Sequence, residues 1–177
     1  MVAEYFGKKD SIEKIEKFAE IEKKKGIFTI QLAKASVLLG FRTELYSKNL
    51  SLNNENFELE YYKKYSNSNE KNFEKLIKES KNLGVQMEER LFSLEELFRF
   101  MNNQSVLIVL LNWNVITNKE GYQGHFVPLV GYDESYVYIH DSSLNASGRE
   151  IPIEKNLFDK ARKSKGTDEE FLVIHKN

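Results

Sequence analysis

The 177-residue sequence contains no cysteine. That absence excludes disulfides, thiolate metal sites and a thiol nucleophile carried by these residues. An excess of either charge is missing too: 26 basic residues stand against 27 acidic ones, so net charge argues for neither a nucleic acid nor an anionic membrane surface as partner. No apolar run is long. Val106 to Leu111 falls far short of the roughly 20 residues a membrane-spanning helix needs. The opening Met1-Val2-Ala3-Glu4-Tyr5 carries neither a basic segment nor a long apolar one, so no signal peptide is visible and the cytoplasm is the expected location. Repeats and low-complexity linkers are absent. What is present is 41% hydrophobic and 12% aromatic residues, enough apolar surface for a full core in one domain spanning 1–177.

Asp10 and Glu13 read as a capping box, with Ile12, Ile15 and Phe18 forming a helical stripe expected to run to Gly26. A second helix is expected from Thr29 through Ile30, Ala33, Val37 and Leu38, stopping at Gly40. Phe41 to Tyr46 alternates like a half-buried strand. A short helix is expected around Phe57 to Tyr65, a longer one through Phe73, Leu76 and Ile77 to Gly84, and a short strand at Val85 to Glu88. Ser93 and Glu96 make a capping box opening a helix through Leu97, Phe98 and Met101. The β-branched run from Val106 to Leu111 suits a strand buried on both faces at the centre of a sheet. A hairpin over 125–141, a helix over Glu154 to Arg162 and a closing strand from Glu170 to His175 complete an α+β order, helices first and antiparallel strands after.

The hairpin carries the chemistry. His125 opens its first strand and Asp141 ends its second. With the turn centred on Asp133 and Glu134, a three-residue loop brings the two onto one face, whereas loops of two or four residues separate them, because one step of register flips every side chain. An Asp beside an imidazole fixes its tautomer and stabilises its charged form, as a general base requires. His140 alternates with Asp141 and is read as structural, and His175 as a near-terminal surface residue. Trp113, Tyr122, Gln123, Gly124 and Phe126 are candidates to line a substrate cleft beside His125, with core filling an equal alternative for the aromatic residues. Asp168-Glu169-Glu170 is an acidic group that would suit Mg²⁺ but reads first as a solvated turn.

Tyr122-Gln123-Gly124-His125-Phe126 with Leu129, Gly131 and Tyr132, the helix holding Phe158 and Ala161-Arg162, and Gly166-Thr167-Asp168-Glu169-Glu170-Phe171-Leu172 together resemble the guanylyl cyclase domain-containing protein family. The likeness extends upstream through Phe28 to Ala33, Leu39 to Arg42 and Tyr61 to Tyr65. That family looks like a branch of the papain-like fold of bacteriocin-leader (double-glycine) peptidases. The resemblance implies an antiparallel sheet with helices packed against it, His125 as base and Asp141 as orienting acid. It also implies a nucleophilic Cys at the start of a central first helix, with an oxyanion Gln upstream. Met1 to Gly7 looks like the last turns of that helix, which puts the Cys about two turns before residue 1. The expectation is an in-frame upstream extension; a natural short binding protein and a site completed by a partner are the alternatives.

Three functions follow as expectations. The first is thiol hydrolysis of a peptide or other amide, incomplete in this chain and needing no metal or cofactor. The second takes the family name literally as GTP conversion, although the chain has no Walker-type loop. The third is a pseudoenzyme whose cleft holds a peptide or protein partner.

Overall fold

The computed structural model describes residues 1–51, 54–66, 70–141 and 148–176. In chain order its elements are α1 (Val2–Tyr5), α2 (Ile12–Phe18), α3 (Thr29–Leu38), β1 (Arg42–Ser47), α4 (Asn54–Phe57), α5 (Glu60–Tyr65), α6 (Glu70–Asn82) and β2 (Gln86–Glu89). After these come α7 (Leu94–Phe98), β3 (Ser105–Asn112), α8 (Trp113–Ile116), β4 (Gly124–Tyr132), β5 (Tyr136–Ile139), β6 (Ile151–Glu154), α9 (Lys155–Arg162) and β7 (Phe171–His175). The architecture is α+β.

The strands form one seven-stranded sheet in the order β2-β1-β7-β3-β4-β5-β6, so the apolar β3 takes the centre. All pairings are antiparallel except that of β1 with β2. The closing strand β7 does not lie at an edge: it inserts between β1 and β3. That placement explains its unbroken apolar run, since an interior strand covered on both faces has no polar side to alternate with.

Helices cover both faces. On one, Leu107, Val109, Leu111, Val127 and Leu129 pack with Leu97 and Phe98 of α7 and Phe158 and Ala161 of α9. On the other, Leu45, Leu172 and Ile174 pack with Ile30 and Ala33 of α3, Phe73 and Leu76 of α6, and Phe6 just after α1. Each fully buried Val, Leu, Ile or Phe among them contributes about 1.5–3 kcal/mol of transfer free energy.

Several local expectations shift. The cap of α2 is Ser11, whose side chain accepts from the Lys14 amide, while Asp10 instead pairs with Lys14 at 2.5 Å. That helix ends at Phe18 rather than Gly26: Glu20 turns left-handed at φ 53°, and the Gln31 amide takes the Ala19 carbonyl. The helix opened by Ser93 has its capping box but stops at Phe98, short of Met101. The stretch from Phe57 to Tyr65 divides into the end of α4 and α5. His175 is not a loose surface residue, because its Nε2 lies 3.0 Å from Glu44 and its side chain is largely covered. Among the described residues no helix is long and apolar enough to cross a membrane.

Candidate active site

The site is built where β3 ends and β4 begins. Asn112, buried at the end of β3, caps α8 by accepting from the Asn114 amide and holds the returning chain by accepting from the Gln123 amide, both at 3.1 Å. Its amide donates to the Gly121 carbonyl at 3.2 Å, and the Trp113 amide donates to the Gln123 carbonyl at 2.7 Å. One side chain thus fixes both the helix that carries Trp113 and the loop that delivers His125. Sequence reading missed Asn112; its signal was the Asn-Trp-Asn that ends an apolar strand, a helix N-cap pattern.

His125 pairs with Leu111 across the β3–β4 ladder, and Trp113 lies against its ring with centroids 4.7 Å apart. Its Nε2 is 3.2 Å from Oδ1 of Asp141, whose side chain is 1% exposed against 24% for His125. The ring N–H is not aligned with that oxygen as a hydrogen bond, an arrangement that often tightens only when a reaction partner binds. Nε2 therefore faces the acid, which leaves Nδ1 as the nitrogen for a reacting group.

The contact depends on a β-bulge. At the turn Tyr132 pairs with Val137 and Gly131 with Tyr138, a four-residue connection that alone would set His125 and Asp141 on opposite faces. Between Gly131 and Leu129 the register shifts by one, so Leu129 pairs with Ile139 and the His140 amide donates to the Pro128 carbonyl. Val130 is the extra residue, and the slip returns Asp141 to the face of His125. His140 points elsewhere: its Nδ1 accepts from the Glu150 amide at 2.9 Å, a structural role.

Beside His125 lies a cavity of about 370 Å³. Tyr61, Tyr62, Tyr65, Phe28, Phe126 and Tyr122 give it an aromatic wall. Tyr122 stacks on Tyr62 at 5.6 Å and meets Tyr61 edge-on at 5.3 Å. Two glycines make room for it. A Cβ on Gly124 would stand 2.9 Å from the Tyr122 hydroxyl, and one on Gly166 would stand 2.9 Å from the Tyr122 ring and 2.6 Å from Leu59. Gly166 also holds φ at +97°, a region that L side chains avoid. Gly166→Ala is expected to lower stability by about 2–3 kcal/mol through strain and overpacking, read as a reduced midpoint in urea at unchanged slope.

Of the expected cleft residues, Tyr122 and Gly124 line the cavity together with Phe126. Trp113 stands against the His125 ring and packs into the core that α9 covers. Gln123 reaches a shallower hollow outside, beside Tyr61 and Tyr65.

Asp168, Glu169 and Glu170 are not a solvated turn. Asp168 accepts from the Asn56 amide at 2.7 Å, Glu169 pairs with the buried Arg162 at 3.3 Å, and Glu170 accepts from the Thr29 hydroxyl. They go to three different partners, and among the described residues no group of three or more His, Asp or Glu is placed to hold a metal ion. Glu170 lines the cavity, and burial pushes its carboxyl up to about 8, with Asp168 adding to the effect and the Thr29 hydroxyl opposing it.

A sequence profile described as guanylylate cyclase matches residues 1–174. Among solved structures, the crystal structure of the peptidase domain of Streptococcus ComA, a bi-functional ABC transporter involved in a quorum-sensing pathway, superposes with a TM-score of 0.50 at 13% sequence identity. The match covers 99% of this chain and 85% of that one, and the fold is thereby that of a papain-like peptidase domain.

Proposed function

This chain belongs to the guanylylate cyclase family, and we propose that it provides the base and orienting acid of a thiol hydrolase acting on a peptide or other amide, with the nucleophile supplied from outside residues 1–177. The observation that carries this reading is the 3.2 Å approach of His125, which lines an aromatic cavity, to the covered carboxylate of Asp141. Asp141 orients the imidazole through Nε2, and Nδ1 takes the thiol proton and returns it to the leaving amine. A reducing cytoplasm would keep such a thiol free.

The sheet surface offers a path for the missing group. On the side of α1, Ile108 faces Pro128 and Leu110 faces Phe126 across the β3–β4 ladder. Val130 is 40% exposed, and a groove of about 440 Å³ runs past Met1, Val106, Pro128 and Val130. From Pro128 to His125 is three residues of strand, about 10 Å. Seven residues of helix span the same length. A helix continuing α1 backwards would have to follow this groove and pass the start of β4 for a nucleophile two turns before Met1 to meet the imidazole.

The family's name points instead to GTP conversion. The site gives that reading less support, because Asp168, Glu169 and Glu170 each turn to a separate partner.

The test reads the codons before Met1 and compares residues 1–177 with the longer product, using a fluorescent iodoacetamide. Labelling of one cysteine in the longer form, faster than that of a free thiol, is expected. A closed reading frame, or a folded longer form that labels no faster than a free thiol, would overturn supply of the nucleophile by this chain.

A further inference from the structure

We propose that the cavity beside His125 is a subsite for a cationic side chain, the alkylammonium or guanidinium of a lysine- or arginine-type residue two strands away from the scissile bond. That it serves a substrate rests on the hydrolase reading. That it recognises a cation does not.

Three features carry the inference. The wall is aromatic: Tyr62 and Tyr122 are stacked, Tyr61 closes on them edge-on, and Phe28 lies 6.5 Å from Tyr62. Faces of this kind attract a cation as well as an alkyl stem. The second is an acid without a counter-charge. Glu170 lines the same cavity, its carboxyl is held by the Thr29 and Ser47 hydroxyls, and among the described residues no Lys, Arg or His contributes to its electrostatics. A shielded carboxyl held by neutral groups is what a ligand cation would complete. The third is that the chain builds a strained turn to place this acid. Gly166, Asp168 and Glu169 are all left-handed, with φ of +97°, 46° and 52°. Hydrogen bonds from the Thr167 hydroxyl to the Arg162 carbonyl and from the Lys48 amide to the Asp168 carbonyl hold the turn. Glycine takes such a φ freely, but two successive non-glycine residues there carry strain of the kind often kept at functional sites.

The position fits a peptide. The Leu110 amide donates to the Glu170 carbonyl at 3.1 Å, and His125 starts the strand on the other side of β3. Two strand spacings, about 10 Å, separate Glu170 from His125. A side chain one or two residues from the scissile bond covers that distance.

Charge around Glu170 is sparse. Asp168 on its own turn raises its proton affinity, and Tyr62 and Tyr122 face it as neutral phenols. Lys25 and His125 also line the cavity. A bound cation therefore displaces the Glu170 proton, and affinity for it should fall roughly tenfold per pH unit below about 8.

The experiment is calorimetric titration of residues 1–177 with the N-acetyl amides of lysine, arginine and norleucine at pH 6.5 and 8.5. We expect lysine or arginine amide to bind at least tenfold more tightly than norleucine amide at pH 8.5, with the preference shrinking at pH 6.5. In Glu170→Gln, which keeps the acceptor for Thr29, norleucine amide should bind unchanged while the preference and its pH dependence disappear. Lys25→Met should strengthen cation binding. Equal or tighter binding of norleucine amide to the wild type, no saturable binding of any of the three, or a preference that survives Glu170→Gln would overturn the proposal. Cation binding without thiol labelling of the longer form would remove supply of the nucleophile by this chain and keep this site. Labelling without cation binding would do the reverse.

Discussion

In a form of the protein that hydrolyses an amide, His125→Ala is expected to lower turnover by about 10³–10⁴-fold, while the fold and the binding of cationic amides persist. The argument starts from position. His125 stands at the first residues of β4 with 24% of its side chain exposed, so its loss opens little core. The groups that hold the surrounding backbone belong to Asn112, not to the imidazole. Asp141 acts through His125. Asp141→Ala is expected to cost about 10²-fold, because the ring then loses the partner of its Nε2. Asp141→Asn keeps an oxygen facing Nε2 and should recover part of that loss, a graded rescue that a purely structural carboxylate would not give. Single-turnover rates of the three variants, with melting curves alongside, decide the matter. Unchanged rates in His125→Ala would remove the imidazole from the chemistry.

How far the sequence discloses this site depends on which interaction decides each feature. The central strand was legible because an apolar β-branched run needs covering on both faces, and β3 does sit in the middle of the sheet. The capping box at Ser93 was legible because its two bonds are local. The proximity of His125 and Asp141 was legible only as a condition on loop length. The actual turn breaks that condition and the bulge at Val130 restores it, and a bulge leaves no mark in a hydrophobic pattern. The acid turn was misread for a related reason. Asp168, Glu169 and Glu170 find partners that are distant in sequence, Asn56, Arg162 and Thr29, and only tertiary structure shows that these carboxylates are covered. Gly166 carried the one local hint, since a glycine ahead of three acids permits the left-handed turn that turns Glu170 inward.

Glu170 also sets the second large effect, a stability that moves with pH. Its folded-state carboxyl titrates near 8, whereas in the unfolded chain the ordinary value is 4.5. Between those two values the folded protein holds a proton that the unfolded chain releases, so this group's contribution is fully present below about pH 4.5 and is lost as pH rises to about 8. Each unit is worth about 1.4 kcal/mol. Allowing for residual solvent at the cavity, the wild type should lose on the order of 3 kcal/mol relative to Glu170→Gln between pH 5 and pH 8.5, roughly 10 °C in melting temperature. Other acids work in the opposite sense. The Ser93 amide holds the Glu96 carboxylate down, and Tyr138 does the same for Asp133, so both stabilise above their ordinary range and weaken the fold on acidification. They are common to both proteins and cancel in the comparison. The difference between the two melting curves should therefore grow steadily from acid to alkaline pH in favour of the glutamine variant. A difference that stays flat would mean that Glu170 is charged in the folded protein, and its carboxylate would then have to be compensated by more than the Thr29 and Ser47 hydroxyls.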